Sequence, residues 1–285
     1  MKILVIRTKK TELDESFIDR CNSIDSKLSF EYGYLNESTI YLENLQEPEI
    51  FISDKNIKDY DLVYIKTFFS SYAPVVYVIK QILNSRNIPL LISQNVESFD
   101  KLSQTTEVNL KGFPIPKTLF LSKDLINWDS ILSKLKAPFI MKAIFAEKGK
   151  NNYLISDRKT FESVFKNFEN KKTLFIFQEF IENEEDFRVL MMGGEVVKVF
   201  SRKRKYPHSH LNNLSQGGKK INLKIDTLGL NIEAFKIYSV FKQPIMGINF
   251  IVKDKVYFLE VNANPGLSKE DQDEKLLIKL IQDLS

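Results

Sequence analysis

The pattern of apolar residues changes character along this chain, and that change limits the folds open to it. Lys2-Ile3-Leu4-Val5-Ile6 carries a continuous apolar run, as expected of a strand covered on both faces. A helix is expected next, from Thr11 with Asp14 three residues on, through Phe17, Ile18 and Cys21. Glu49–Ile52 and Leu62–Ile65 read as further strands. Ser71 offers a cap for a helix carrying Val75, Val76, Ile79, Ile82 and Leu83, with Pro74 tolerated near its start. Pro89–Ser93 reads as the next strand. Strands that alternate with helices imply a small parallel sheet.

The middle of the chain breaks that rhythm. Thr118–Leu121, Phe139–Ala143 and Tyr153–Ile155 read as strands, and Ser156 as the cap of a helix through Phe161, Val164, Phe165 and Phe168. The last third turns antiparallel. Leu174–Phe180 is a strand, and Phe187–Met192 and Glu195–Arg202 flank Gly193-Gly194, a hairpin turn signal. Gly247–Val252 and Val256–Val261 flank Lys253-Asp254-Lys255. A final helix is expected from about Lys269 to Leu284, with Ser268 and Asp271 as its capping box and Leu276, Leu277, Leu280 and Ile281 as its stripe. The expected organisation is an N-terminal α/β unit (1–95), a small central α+β unit (96–173) and a C-terminal antiparallel unit (174–285).

Composition excludes several function classes. With 41 Lys+Arg against 37 Asp+Glu, the net charge of +4 is too balanced for wholesale nucleic-acid or membrane binding. Cys21 is the only cysteine, so no internal disulfide and no Cys-rich metal site can form. A reducing, cytoplasmic setting is expected. No apolar run approaches the roughly 20 residues that cross a bilayer, and the opening strand lacks the apolar core and cleavage site of a signal peptide.

Chemistry concentrates in the final hairpin. Residues two apart share a strand face, so Glu260 and Asn262 project together from an otherwise apolar strand. A turn at Asp254-Lys255 sets Asn249 opposite Glu260. Three oxygen-bearing side chains in one patch suit a hard cation, Mg²⁺ or Mn²⁺, with substrate phosphates completing its shell. Lys142 ends the apolar strand of Phe139-Ile140-Met141, where an ammonium needs an anionic partner such as phosphate. Arg202-Lys203-Arg204-Lys205 is a local basic run, and Lys198, Phe200, Arg202 and Arg204 share one face by alternation. His208 and His210 fall in a polar loop and read as solvated.

The segment from Gly247-Ile248-Asn249-Phe250 to Phe258-Leu259-Glu260-Val261-Asn262-Ala263-Asn264-Pro265-Gly266 resembles the metal-binding end of the ATP-grasp superfamily. The resemblance is nearest to the RimK-type ligases, which add glutamate to protein carboxylates, and it runs from about Asp100 to Gly266. It implies an ATP-grasp fold of mixed α/β and α+β character, whose central unit closes as a lid. Asn249, Glu260 and Asn262 become metal ligands, although the family usually has Asp where this chain has Asn249. Lys101 and Lys142 become phosphate contacts, and Gly112-Phe113-Pro114-Ile115-Pro116-Lys117-Thr118 matches the family segment between them. Gly149 stands in a phosphate-covering loop, Ala146–Lys150, that has fewer glycines than its counterparts. Gln178, Glu179, Phe180 and Ile181 form the adenine hinge, followed by Glu182 or Asp186 for the ribose. Arg188 and Arg202 would bind the transferred phosphate and the incoming carboxylate, and Asn213, Gly217 and Gly218 complete the run. Relatives carry an Arg where this chain has Leu211, which bears on the acceptor.

The activity implied is ATP-dependent joining of a carboxylate to an amine through an acyl-phosphate, on an amino acid, a peptide or a protein. Rival readings are a nucleotide-binding protein without catalysis, an enzyme that modifies ribosomal peptides, a small-molecule kinase of the same fold and a basic RNA-binding module. No nucleic acid and no membrane are expected as partners, and a homo-oligomer is compatible with the sequence.

Overall fold

The computed structural model describes residues 1–42, 48–66, 68, 70–92, 100–145, 151–204, 219–263, 265 and 273–283. The first third contains β1 (Lys2–Arg7), α1 (Asp14–Ile24), β2 (Ser29–Tyr34), β3 (Ser38–Tyr41), β4 (Glu49–Ile52), β5 (Lys55–Asn56), β6 (Leu62–Ile65), α2 (Ala73–Ser85) and β7 (Leu90–Ile92). Parallel pairing gives the sheet order β2-β1-β6-β7. Its central strands are buried on both faces, which is why their sequences read as unbroken apolar runs. The alternation rule misplaces β4, however. It lies in a separate antiparallel sheet, β3-β4-β5, because Ser53 and Asp54 adopt positive φ (49° and 61°) and fold a tight hairpin.

The middle contains α3 (Lys101–Leu110), β8 (Thr118–Phe120), α4 (Trp128–Leu132), β9 (Phe139–Ala143), β10 (Asn152–Ile155), α5 (Arg158–Lys166) and β11 (Phe175–Glu179). The four strands form an antiparallel sheet ordered β10-β9-β11-β8. Asp157, rather than Ser156, caps α5 by accepting the Thr160 N–H at 2.8 Å. Beneath this sheet lies a core built from Phe139, Phe161, Phe168, Phe175 and Phe177, with Trp128 packed on Phe139 and Phe161.

The last third contains β12 (Glu185–Met192), β13 (Glu195–Lys203), β14 (Lys219–Leu223), α6 (Leu230–Phe241), β15 (Ile245–Val252), β16 (Val256–Asn262) and α7 (Asp273–Asp283). Its sheet runs β14-β13-β12-β15-β16, all antiparallel. One face packs on α6 through Val189, Met191, Ile248, Phe250 and Phe258. At the other face, Leu190, Met192 and Ile245 join α7 and the parallel sheet in a shared core with Ile3, Val5, Phe17 and Leu277. No helix among the described residues is long and apolar enough to cross a membrane.

Candidate active site

A bulge aims the oxygen donors of the last hairpin. The loop has three residues, Lys253-Asp254-Lys255, closed by the Val252–Val256 pair. Strict pairing from there would set Asn249 opposite Leu259. Instead the register slips, so that Phe250 pairs Phe258 while Asn249 pairs Glu260, and Leu259 is the extra residue. Strict alternation would also have put Glu260 on the face of Phe258, which is core. The slip makes Val261 the next core residue and turns Glu260 and Asn262 the other way. The expected juxtaposition of Asn249 and Glu260 is present, but a bulge produces it and not the two-residue turn.

Hydrogen bonds then order the patch. Glu260 Oε1 accepts from Asn249 Nδ2 at 2.9 Å and from Asn262 Nδ2 at 3.2 Å. Asn249 Oδ1 accepts from Arg188 Nε at 2.7 Å. Arg188 stands opposite Asn249 across β12 and β15. Gly247 leaves the room this needs: a Cβ there would lie 2.7 Å from Pro265 Cβ and 3.4 Å from Arg188 Cδ.

Cations arrive from two other elements. Asp100 caps α3 by accepting the Leu102 and Ser103 N–H groups at 2.9 and 3.0 Å, which fixes where Lys101 begins the helix. The Lys101 N–H bonds the Ile144 carbonyl, just past β9, at 3.2 Å. Its ammonium lies 3.9 Å from Glu260 Oε2, so Lys101 ties the end of β9 to β16. Lys142, in β9, is only 7% exposed. Burial pushes its ammonium down to about 8, Glu260 opposes the shift, and Lys101 adds to it. Burial by itself would raise the Glu260 carboxyl, but Lys101, Lys142 and Arg188 together hold it below the usual range and keep it ionised. Burial, with Arg202 nearby, lowers Arg188 to about 10, still charged at neutral pH. Glu260 and Lys142 therefore share one electrostatic site, although they come from different sheets.

Arg202 and Asp186 sit directly opposite each other on β13 and β12, both nearly fully buried. Their side chains form a two-pronged pair, Nε to Oδ1 at 2.6 Å and Nη2 to Oδ2 at 2.8 Å. Both Asp186 oxygens are thus occupied by Arg202, and exposed Glu182 is the freer carboxylate after the hinge. Gln178 is buried, and its Nε2 donates to Thr118 Oγ1 at 2.8 Å. Glu179 bonds Lys117 through its backbone N–H at 2.9 Å, Phe180 is half-buried, and Ile181 is buried. Gln178 and Glu179 lie on β11, the strand on which Ile176 pairs with Lys142. Gly149, Asn213, the loop 146–150, the two histidines and Leu211 lie outside the described residues.

Sequence reasoning missed Gln104. On α3, its side chain donates to the Val261 carbonyl at 3.1 Å and accepts the Val261 N–H at 2.9 Å, clamping β16 between Glu260 and Asn262. The cap at Asp100 was the available signal, since it marks the helix that carries Gln104.

The donor set fits a divalent cation. One carboxylate and an amide oxygen beside two lysines suit Mg²⁺, which takes its remaining ligands from substrate and water.

The sequence profile of the RimK-like ATP-grasp domain matches residues 98–283. The chain belongs to the RimK-like ATP-grasp family. This RimK-like chain is 32% identical over 178 residues to a protein named probable alpha-L-glutamate ligase from Psychromonas ingrahamii, covering 60% of the chain and 57% of the relative. It therefore spans less than two thirds of that relative's length. Its fold matches a D-alanine–D-alanine ligase from Bacillus anthracis, solved with ATP, at a TM-score of 0.71 and 17% identity, over 100% of this chain and 97% of that one. The macrocyclase MdnC from Microcystis aeruginosa, solved with the precursor peptide MdnA, matches at a TM-score of 0.69 and 12% identity, over 99% of this chain and 100% of that one. Identities this low establish the shared ATP-grasp fold alone.

Proposed function

We propose that this RimK-like chain is an ATP-dependent, ADP-forming ligase that joins a carboxylate to an amine through an acyl-phosphate. The observation that carries the reading is the meeting of Lys101, Lys142, Arg188 and Glu260 at the junction of two sheets. Among these four charges the cations outnumber the carboxylate, so the site suits a polyanionic substrate such as a nucleoside triphosphate.

Lys101 and Lys142 would neutralise the phosphates, with the hinge residues Gln178–Ile181 bordering the base. Glu260 and Asn262 would hold Mg²⁺, which when bound draws charge from the phosphate oxygens. A substrate carboxylate attacks the γ-phosphate, the bond to the bridging oxygen of ADP breaks, and Arg188 stabilises the charge spreading over the transferred group. The amine then displaces phosphate from the acyl carbon and loses a proton. Arg202, held by Asp186 two residues before Arg188 on β12, would add a second positive charge toward the transferred phosphate or the incoming carboxylate. No covalent nucleophile on the chain is required; positioning and charge neutralisation supply the catalysis. The central sheet would act as the lid that keeps water from the acyl-phosphate.

An amino acid, a peptide or a protein side chain is the favoured substrate class, in line with the glutamate-ligase relatives and the peptide-bound structural neighbour. The test is ADP release with Mg²⁺ across panels of amino acids and peptides, with mass analysis of the products. Amine-dependent ADP release and a product lighter by one water than its parts are expected. Glu260→Ala should cut turnover by about 10²-fold or more with its circular dichroism unchanged. ATP binding with no carboxylate-dependent ADP release would favour a non-catalytic nucleotide binder.

A further inference from the structure

Asn249 stands where a third metal ligand is expected, yet both ends of its amide are engaged. Its Oδ1 accepts from Arg188 Nε at 2.7 Å, and its Nδ2 donates to Glu260 Oε1 at 2.9 Å. The neighbours dictate which end is which: a guanidinium only donates, and an ionised carboxylate only accepts. Turning the amide over would oppose donor to donor and acceptor to acceptor. Asn249 is 2% exposed, so water is poorly placed to replace a lost bond.

The consequences reach Glu260. Its Oε1 already receives two amide groups, from Asn249 and Asn262. Among the described residues, Glu260 Oε2 and Asn262 Oδ1 accept no hydrogen bond, and Oε2 is ion-paired to Lys101 at 3.9 Å. The chain thus presents two oxygens to a cation, while the oxygen of Asn249 is turned to Arg188.

We infer that Asn249 is a positioning residue and not a metal ligand: its amide bridges Arg188 to Glu260, and the site takes a single divalent cation on Glu260 and Asn262. The inference rests on the ligase reading. A carboxylate at position 249 would behave differently. It would stand about 2.9 Å from Glu260, where two carboxylates stay together only with a cation or a shared proton between them.

The test counts Mn²⁺ per chain by electron paramagnetic resonance, with a non-hydrolysable ATP analogue in excess. Uptake of the analogue is read separately by calorimetry. The native chain should hold one Mn²⁺. Asn249→Ala should also hold one, with its Kd within about threefold, while kcat falls at least tenfold and KM for ATP stays unchanged. The nearly isosteric Asn249→Asp, which guards against a misfolded alanine variant, should take up a second Mn²⁺. Two Mn²⁺ in the native chain, with one lost in Asn249→Ala, overturns the assignment and leaves the ligase reading standing. So does a tenfold loss of Mn²⁺ affinity in Asn249→Ala. A native chain that takes up no analogue overturns the ligase reading, and this inference with it.

Discussion

Lys142 is nearly buried at the end of β9, and its ammonium makes no hydrogen bond among the described residues. Burial, only partly offset by Glu260, favours the neutral amine, which places its pKa at about 8 in the folded chain. In the unfolded chain it returns to the ordinary lysine value, so between about pH 8 and 10.5 the unfolded state binds more protons. The destabilisation is full below pH 8 and is relieved as pH rises through that window. Lys66, also lowered to about 8 by burial, contributes in the same range, so stability profiles do not isolate Lys142. Two measurements do. Lys142→Met should raise Tm by roughly 2–4 °C while weakening nucleotide binding by at least about tenfold, because the buried charge serves the ligand and not the fold. Nucleotide binding near pH 9 should also take up a proton, read by calorimetry in buffers of different ionisation enthalpy, and Lys142→Arg should not. A Lys142→Met variant that is less stable, or that binds nucleotide as before, would refute this account. A lysine closing an apolar strand was legible in the sequence, and so was the grouping of Glu260 with Asn249. Which end of the Asn249 amide faces Arg188, and that Asp186 is held by Arg202, were not, because hydrogen-bond direction and cross-strand partners arise only in the assembled sheet.

Elements were legible where one face is consistently apolar. Glu49–Ile52, Leu62–Ile65 and Phe139–Ala143 have the bounds that alternation and apolar runs suggest. Three helices escaped: α4 is only five residues long, too short to outline a stripe, and the other two were hidden for opposite reasons. α3 buries Gln104 and Thr105 beside Val108, so its inward face is largely polar. α6 buries Leu230, Ala234, Ile237 and Phe241 while exposing Ile232 and Phe235, so its apolar residues outline no stripe. The slip at Leu259 is invisible to a period-two rule, because it adds one residue to one strand. The hairpin of β15 and β16 also depends on a missing side chain. Gly247 lies under Pro265, and a methyl group there would meet a rigid ring at 2.7 Å. Gly247→Ala should displace the Asn262–Pro265 segment and crowd Arg188, costing about 1–3 kcal/mol in urea unfolding. It should lower kcat further than that small loss of stability explains. Native turnover in the variant would show that the segment tolerates displacement and does not set the site.

At the scale of the whole molecule, the three larger of the four sheets share their cores unequally. α7 inserts Leu277, Ile278 and Ile281 between the parallel sheet and the last antiparallel sheet, against Phe17, Cys21, Leu190 and Met192. Arg20 Nε reaches the buried Glu274 carboxylate at 2.9 Å across the same seam, and Gln282 Nε2 donates to Asp25 at 2.8 Å. The central sheet keeps a core of its own around Phe139, Phe161 and Phe177, whose buried residues all lie between Ile131 and Phe177, whereas the α7 core draws on two sheets. A body fused by α7 and a separately cored sheet is the arrangement a closing lid requires. The chain carries its own reporter of the difference: its one tryptophan, Trp128, packs into the central core on Phe139 and Phe161. Leu277→Ala should remove about 2–4 kcal/mol from the fused body by opening a cavity at a fully buried position. In urea, its far-ultraviolet circular dichroism transition should therefore move to lower denaturant while the Trp128 fluorescence transition moves less. Equal shifts of both transitions would mean that the central sheet unfolds with the rest as one cooperative unit, and that it has no independent stability with which to open and close over the site.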